Sequence, residues 1–174
     1  MTQPETHSVA APVDAENEPG LRLYKEIRAL AEAERRGDLA ELRRLDPDRP
    51  GAPVFFRILV RVAPDAAPET MCRYAHYLRI LALNPDALSG DRLGAVMAAS
   101  GVSESRVQRL LSARGGAMRD QLRLIARRLA NADNVPWRGF AYLLLTSDED
   151  KLERSRLIVA RDFWRALDRA QAQS

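Results

Sequence analysis

Apolar residues recur at intervals of three and four along nearly the whole chain from Leu21 onward. This helical periodicity constrains the fold more than any other feature. Leu23, Ile27 and Leu30 show it near the start of the chain, and Val159 and Phe163 show it near the end. Proline and glycine interrupt the pattern at short intervals, which predicts several short helices. The chain is therefore predicted to be all-α, a single-domain helical bundle of about eight or nine helices.

One segment, PVFFRILVRVAP, is apolar enough to be a strand or a helix. Arg57 and Arg61 lie four residues apart, which would give a mostly buried helix one solvent-exposed edge. A strand would need a partner, and no second strand-like run is visible, so a helix is predicted. Glycine and capping signals predict the helix boundaries: a stop at Gly37, caps at Asp91 and Ser103, stops at Gly101 and Gly115–Gly116, and a last helix starting at Ser147.

Charge divides the chain into a tail and a basic body. Residues 1–20 carry four acids and no Lys or Arg, whereas the other 154 residues carry a net charge of +7. The first segment is predicted to be a disordered acidic tail and residues 21–174 the helical domain. Arginine is the usual residue for bidentate phosphate contacts. Because a GC-rich genome also favours Arg over Lys, the placement of the arginines is more informative than their number.

The sequence offers no recognisable active site. There are two histidines, His7 and His76, and one cysteine, Cys72, with no metal-ligand spacing around them. No catalytic residues, metal or cofactor are therefore expected, and the chain is predicted not to be an enzyme. No segment is long enough to cross a membrane and no signal peptide is visible, so a cytoplasmic location is expected.

The segment 101–132 holds seven arginines against two acids. Arg119, Arg123 and Arg127 follow one another at four-residue spacing, away from the apolar stripe that begins at Met118. Three cations on one ridge repel one another unless anions lie near, and a phosphate backbone would supply such anions. A solvated helix face is the equally open alternative. Aromatic residues make up only 6% of the chain, so binding by base stacking is not expected.

The stretch GAVMAASGVSESRVQRLLSA, residues 94–113, has the outline of a helix-turn-helix. That motif usually has a small residue four positions before the turn glycine, where this chain has Met97. Glu104 would also face phosphates at the entry to the groove. The segment therefore resembles a helix-turn-helix in outline but departs from the motif at these two positions.

Five segments, in order, resemble the CasB family, the small subunit of the type I-E CRISPR Cascade complex. They are GDLAELRRLDPDRPGAPVFFRILV (37–60), RLGAVMAASGVSESRVQRLLSA (92–113), DQLRLIARRL, VPWRGFAYLL and ARDFW (160–164). The resemblance covers about residues 37–64 and 92–165, and residues 65–90 match no family motif.

The resemblance implies a non-catalytic subunit present in two copies beside the guide RNA, the backbone subunits and the large subunit of Cascade. It implies contact with guide RNA and target DNA, and help in holding the displaced non-target strand of the R-loop in antiviral defence. By matching positions, Arg43, Arg44, Arg106 and Arg123 are the nucleic-acid-binding candidates. The charge argument alone adds Arg109, Arg114 and Arg119.

Two other functions remain open. A helix-turn-helix transcriptional regulator would read a palindromic site with a large specificity ratio, and a helical adaptor would bind protein partners only. Trp137, Phe163 and Trp164 are candidate anchors for protein contacts, with burial in the core expected for at least two of them. Arg156 falls on the apolar stripe of the last helix. It is expected to extend its charge out to water, with pairing at an interface as the alternative.

Overall fold

The computed structural model describes residues 18–173, which form nine α-helices. In chain order these are α1 (Pro19–Glu32), α2 (Arg36–Arg44), α3 (Pro53–Val62), α4 (Pro68–Leu81), α5 (Leu93–Ala99), α6 (Glu104–Ser112), α7 (Gly115–Leu129), α8 (Trp137–Leu145) and α9 (Glu149–Ala172). The predicted all-α fold is confirmed. Residues 1–17 of the predicted tail lie outside the described residues, and α1 begins two residues before the predicted domain start.

The described residues also contain a small two-stranded sheet that the sequence analysis does not predict. Strand β1 (Leu88–Ser89) pairs in parallel with β2 (Val135–Pro136), with Leu88 opposite Val135. Two residues per strand are too few to show an alternating pattern, so the sequence carries no signal for this pairing. A single 3₁₀ turn, Pro85–Ala87, precedes β1.

Helix α3 confirms the helical interpretation of the ambiguous apolar segment. It begins with a proline at its first position, where the missing N–H costs nothing, as do α1 and α4. Val54, Phe55, Ile58 and Val62 are buried on one side of α3, while Phe56 and Val60 face outward. The predicted solvent-exposed edge carries Arg57 and Arg61, which are both exposed.

Helix ends agree with the predicted signals at Gly101 and differ at Gly37. Gly101 has φ +67°, and the Val102 N–H donates to the Met97 carbonyl, which is the glycine-capped Schellman arrangement. The first helix ends in the same arrangement at Glu34, with φ +52°, although this residue has a side chain. Gly37 instead lies inside α2.

Three other predicted boundaries shift by one to three residues. Arg92, not Asp91, occupies the N-cap position of α5. Asp148, not Ser147, caps α9, where its side chain accepts a hydrogen bond from the Lys151 N–H at 3.0 Å. Gly115 and Gly116 open α7 rather than closing α6. Ser103 is the N-cap of α6 as predicted.

Helix α4 is central to the core, because it packs against α1, α2, α7 and α8. Its fully buried Tyr77 hydroxyl lies 3.2 Å from the Trp137 carbonyl oxygen and 3.4 Å from that of Gly20, so it ties α4 to α8 and α1. Trp137 and Phe163 are buried and Trp164 is half-buried, in agreement with the predicted core roles.

Helix α5 lies along α9, and the two backbones approach closely at Gly94. A Cβ atom on Gly94 would lie 2.2 Å from the Val159 carbonyl oxygen and 2.6 Å from the Phe163 nitrogen. Both are backbone atoms, so no side-chain rearrangement could make room for it. Glycine at this position therefore permits the closest helix contact in this part of the molecule.

Arg156 corrects the expectation that its charge reaches water. Only 3% of its surface is exposed, and its guanidinium pairs with Glu149 and Glu153 of its own helix. It also donates to the Ala113 carbonyl oxygen at 2.9 Å. The side chain stays inside because it finds acceptors there, which a buried charge requires. It thereby fastens the first turns of α9 to the loop between α6 and α7.

Candidate nucleic-acid interface

Helix α7 presents the predicted arginine ridge. Its apolar face is buried, and Arg119, Arg123 and Arg127 follow one another along the opposite side at successive turns. Arg127 is exposed, whereas Arg119 and Arg123 are half-buried. Arg123 pairs with Asp120 at 3.7 Å, yet its buried Nε has no hydrogen-bond partner.

Helix α4 packs against α7 and extends this basic surface. Burial lowers the pKa of His76, and the charges of Arg119 and Arg79 lower it further, while Asp48 and Asp120 oppose them. Burial likewise lowers the pKa of Arg79, and the charges of Arg123 and Arg127 add to this effect, while Asp46 opposes it. These influences require the groups to be close together. We use the name α4/α7 basic cluster for five side chains: His76, Arg79, Arg119, Arg123 and Arg127.

Arg43 lies at the C-terminal end of α4. Its Nε donates to the Ala82 carbonyl oxygen at 2.6 Å, one helical turn beyond Arg79. This bond positions an exposed guanidinium near the end of the basic cluster. Arg44 bonds back to Ala40 of its own helix at 3.2 Å and is also exposed. Of the predicted pair, Arg43 is the residue tied to α4.

The remaining predicted residues lie apart from the α4/α7 basic cluster. Arg106 and Arg109 are on α6, where Arg109 donates to the Ser105 carbonyl oxygen of its own helix. Arg114 pairs with Glu153 at 2.8 Å and with Glu149 at 3.9 Å. Within residues 18–173, no hydrogen bond or ion pair joins these three arginines to the cluster. Arg114 has its charge matched by carboxylates already, so it is the weakest of the predicted phosphate ligands.

Sequence reasoning missed Arg79 and treated His76 as an ordinary helix residue. Both fall in the segment that matched no family motif. A usable signal was present, because His76 and Arg79 are one helical turn apart and so share a face of α4. What the sequence did not reveal is which helix packs beside that face. Only the pairing of α4 with α7 turns two separate basic faces into one surface.

The segment with the helix-turn-helix outline forms two consecutive short helices, α5 and α6, joined by a turn at Gly101. Met97 is fully buried, so the non-standard residue is accommodated in the core. The packing of α5 along α9 makes this segment part of the bundle. Its outer helix brings Glu104 in its first turn, which is unfavourable next to phosphate.

The described residues contain no group of three or more His, Cys, Asp or Glu side chains placed to hold a metal ion. No helix within 18–173 is long and apolar enough to cross a membrane. The described part of the chain is thus a small all-α bundle that carries a cluster of basic side chains across α4 and α7.

Comparison with known families identifies the chain more closely. Residues 38–164 match the family of CRISPR-associated protein Cse2, and since this is well over half of the chain, the protein belongs to that family. This is the CasB family that the sequence motifs resemble, and it makes the chain a small subunit of a CRISPR Cascade complex. The match also covers residues 65–90, where no family motif was recognised. Searches of curated proteins and of solved structures returned no match.

Proposed function

We propose that this subunit holds a nucleic-acid strand by its sugar–phosphate backbone along the α4/α7 basic cluster. In the assembled complex the strand is the displaced non-target DNA of the R-loop, with guide RNA close by. The observation that supports this most is the packing of α4 against α7, which brings Arg79 near Arg123 and Arg127, so that their charges lower the pKa of Arg79. Like charges at short range are unfavourable, and a polyanion relieves that repulsion.

The proposed role is non-catalytic. Exchange of a DNA duplex for an RNA–DNA heteroduplex is close to balanced in free energy, so a few backbone contacts to the displaced strand shift it towards the open state. Contacts to phosphate carry no sequence information, which suits a subunit that serves any guide. We also propose that a second copy of this chain, the backbone subunits and the large subunit are its neighbours in the cytoplasmic complex.

The alternative of a helix-turn-helix regulator has no observation in its favour. The family assignment points to Cascade, and the α5–α6 segment is an integral part of the helical bundle. A regulator would show one high-affinity site and a large preference over random DNA. We expect neither from this chain.

The test is the salt dependence of binding to a single-stranded DNA of mixed sequence, followed by fluorescence anisotropy. Each phosphate contact contributes about 0.7 to the slope of log affinity against log salt for single strands. Replacing Arg119, Arg123 and Arg127 with Gln should therefore lower the slope by about 2 and weaken binding equally for all sequences.

A matched control removes the same charge elsewhere. Arg35, Arg57 and Arg61 are exposed arginines that already pair with Asp38 or Glu26. Their triple replacement by Gln should leave the slope near that of the unmodified chain. An unchanged slope in the α7 variant, or an equal fall in both variants, would show that the α7 ridge is not the binding surface.

A further inference from the structure

A cavity of about 290 Å³ lies between the start of α5, α8 and the middle of α9. Its walls include Leu93 and Val159, which are buried, and Tyr142 and Ile158, which are 40% and 48% exposed. Ligand pockets in proteins range upward from about 300 Å³, are mostly apolar and hold a few polar groups. The cavity therefore has room for one large side chain or a molecule of similar size.

The wall of this cavity contains a buried carboxylate. Asp162 on α9 is only 6% exposed, and its Oδ1 accepts a hydrogen bond from Arg92 Nη1 at 3.1 Å and lies 3.6 Å from Arg161 Nε. Within residues 18–173 its other oxygen, Oδ2, accepts no hydrogen bond, and it is not sealed from solvent. A carboxylate oxygen in an apolar wall binds a donor more strongly than it would in water. The cavity thus offers an acceptor to a ligand with an N–H or O–H group.

The charges around the cavity balance one another. Asp91 and Asp162 line it together with Arg92 and Arg138, and Arg161 adds a charge beside Asp162. A cationic ligand at Oδ2 would meet the field of the arginines that already pair with this carboxylate. An anionic ligand would meet the carboxylate itself. Because like charges at short range are unfavourable, the cavity favours a neutral occupant.

Few protein side chains are neutral and combine an apolar body with a donor. Tryptophan and tyrosine do so, and the indole N–H of tryptophan is a donor only. An ionised carboxylate is an acceptor only, so the indole matches Oδ2 without bringing a lone pair of its own. Tryptophan is also among the side chains that most often dominate the binding energy of protein interfaces. Because the chain is a subunit of a multi-protein complex, a neighbouring subunit can supply such a side chain.

We propose that this cavity receives a tryptophan side chain from a neighbouring subunit of the complex. The indole ring covers Tyr142 and Ile158, and its N–H donates to Asp162 Oδ2, while Arg92 keeps its bond to Oδ1. The inference rests on the family assignment and not on the α4/α7 basic cluster, so the failure of either proposal leaves the other standing.

A titration of the full-length chain with N-acetyl-L-tryptophanamide tests the cavity itself, with amide chemical shifts as the readout. We expect saturable shift changes confined to residues 90–94, 138–142 and 155–162. The derivative methylated on the indole nitrogen should bind about five times more weakly, because it cannot donate to Asp162. N-acetyl-lysinamide and adenosine monophosphate should cause no saturable change. No saturation by the tryptophan compound, equal affinity of its methylated form, or tighter binding of the nucleotide would overturn the proposal.

Retention of subunits in the assembled complex tests the partner. Ile158→Lys introduces a charge at the cavity, and Leu157→Lys is the matched control, because Leu157 is 68% exposed on the same helix and does not line the cavity. Each variant is purified with the complex through a tag on this chain, and the retained subunits are quantified. We expect Ile158→Lys to lower the retention of one subunit about tenfold and Leu157→Lys to leave it unchanged.

The subunit that is lost should contain a tryptophan whose replacement by Ala, in that subunit, causes the same loss. Equal retention by the two variants of this chain contradicts a partner at the cavity. A loss that no tryptophan replacement in the partner reproduces contradicts the proposed side chain.

Discussion

At the scale of single residues, Gly94 has the strictest steric requirement in the α5–α9 contact. Replacing it with Ala would place a methyl group against the backbone of Val159 and Phe163, at 2.2 and 2.6 Å. We expect Gly94→Ala to lower the free energy of unfolding by about 3 kcal/mol, since two backbones must separate. Urea unfolding measures this directly.

Gly37 provides the matched control for that change. It lies inside α2 without a positive φ, and a Cβ atom added there would meet no heavy atom within 4 Å. Gly37→Ala should therefore stabilise the protein by about 0.5–1 kcal/mol through helix propensity. Equal effects of the two substitutions would contradict the close helix contact at Gly94.

Arg156 is the buried charge whose loss should be most damaging. Arg156→Met keeps much of the apolar stem but removes the hydrogen bond to the Ala113 carbonyl oxygen and the pairing with Glu149 and Glu153. We expect the free energy of unfolding to fall by about 1–2 kcal/mol, because the charge-assisted bonds between α9 and the α6–α7 loop are lost. The Ala113 carbonyl keeps Arg114 Nη1 as a second donor, at 3.0 Å. The two glutamates stay in contact with water, which limits the cost.

Arg154 serves as the comparison, because it is exposed and its Nε donates to a carbonyl one turn back in α9. Arg154→Met should change stability by less than about 0.5 kcal/mol. If Arg156→Met is equally mild in urea unfolding, the guanidinium does not fasten α9 to the α6–α7 loop.

At the scale of helices, the contact between α4 and α7 predicts a pH dependence of binding. The pKa of His76 lies below its usual 6.5, mainly through burial and then through Arg119 and Arg79, with Asp48 and Asp120 opposing. Phosphate bound at the cluster would counter the arginines and raise this pKa. Binding would then take up a proton, so affinity should rise as the pH falls from neutral towards the lowered pKa of His76 in the free protein.

The two histidines of the chain allow this prediction to be checked cleanly. Single-strand affinity is measured between about pH 8 and 5.5, where His is the side chain that ordinarily titrates. His76→Gln should flatten the rise at low pH, whereas His7→Gln, outside the described residues, should leave it unchanged. A pH dependence that survives His76→Gln would place the titrating group elsewhere.

The helices could be predicted from the sequence where apolar periodicity was long and clear, as in the stripe from Met118 to Leu129 on α7. Helix ends were harder to predict. The end of α1 is an example, because Glu34 adopts there a backbone conformation that glycine usually takes, and its residue type does not indicate a helix end. The prediction that the Arg156 side chain reaches water was wrong because its partners could not be identified from the sequence. Its acceptors include the Ala113 carbonyl, 43 residues away in sequence, which periodicity within one helix does not reveal.

The candidate site was predicted in part. The ridge on α7 followed from spacing alone, since residues four apart share a helix face. Arg79 and His76 were missed because their importance depends on a partner helix rather than on their own segment. Arg114 shows the reverse case, where a basic residue in a promising segment pairs with carboxylates of α9.

At the scale of the whole molecule, the packing of the helical bundle determines where the α4/α7 basic cluster lies. Helix α4 contributes one face to the core and another to the α4/α7 basic cluster, so the position of the cluster depends on the packing of α1, α2 and α8 around it. A surface held in this way can follow a regularly spaced phosphate backbone without reading bases. This suits a Cascade subunit that must act on many different targets.

The most direct test of the central claim uses the whole complex purified through a tag on this chain and bound to its target DNA. Photo-crosslinks from the displaced strand are mapped onto this subunit by mass spectrometry. The account predicts crosslinks to peptides from α4 and α7, around residues 76–79 and 119–127, and their loss when Arg119, Arg123 and Arg127 are replaced by Gln. Crosslinks confined to α5 and α6, or none to this subunit, would contradict it.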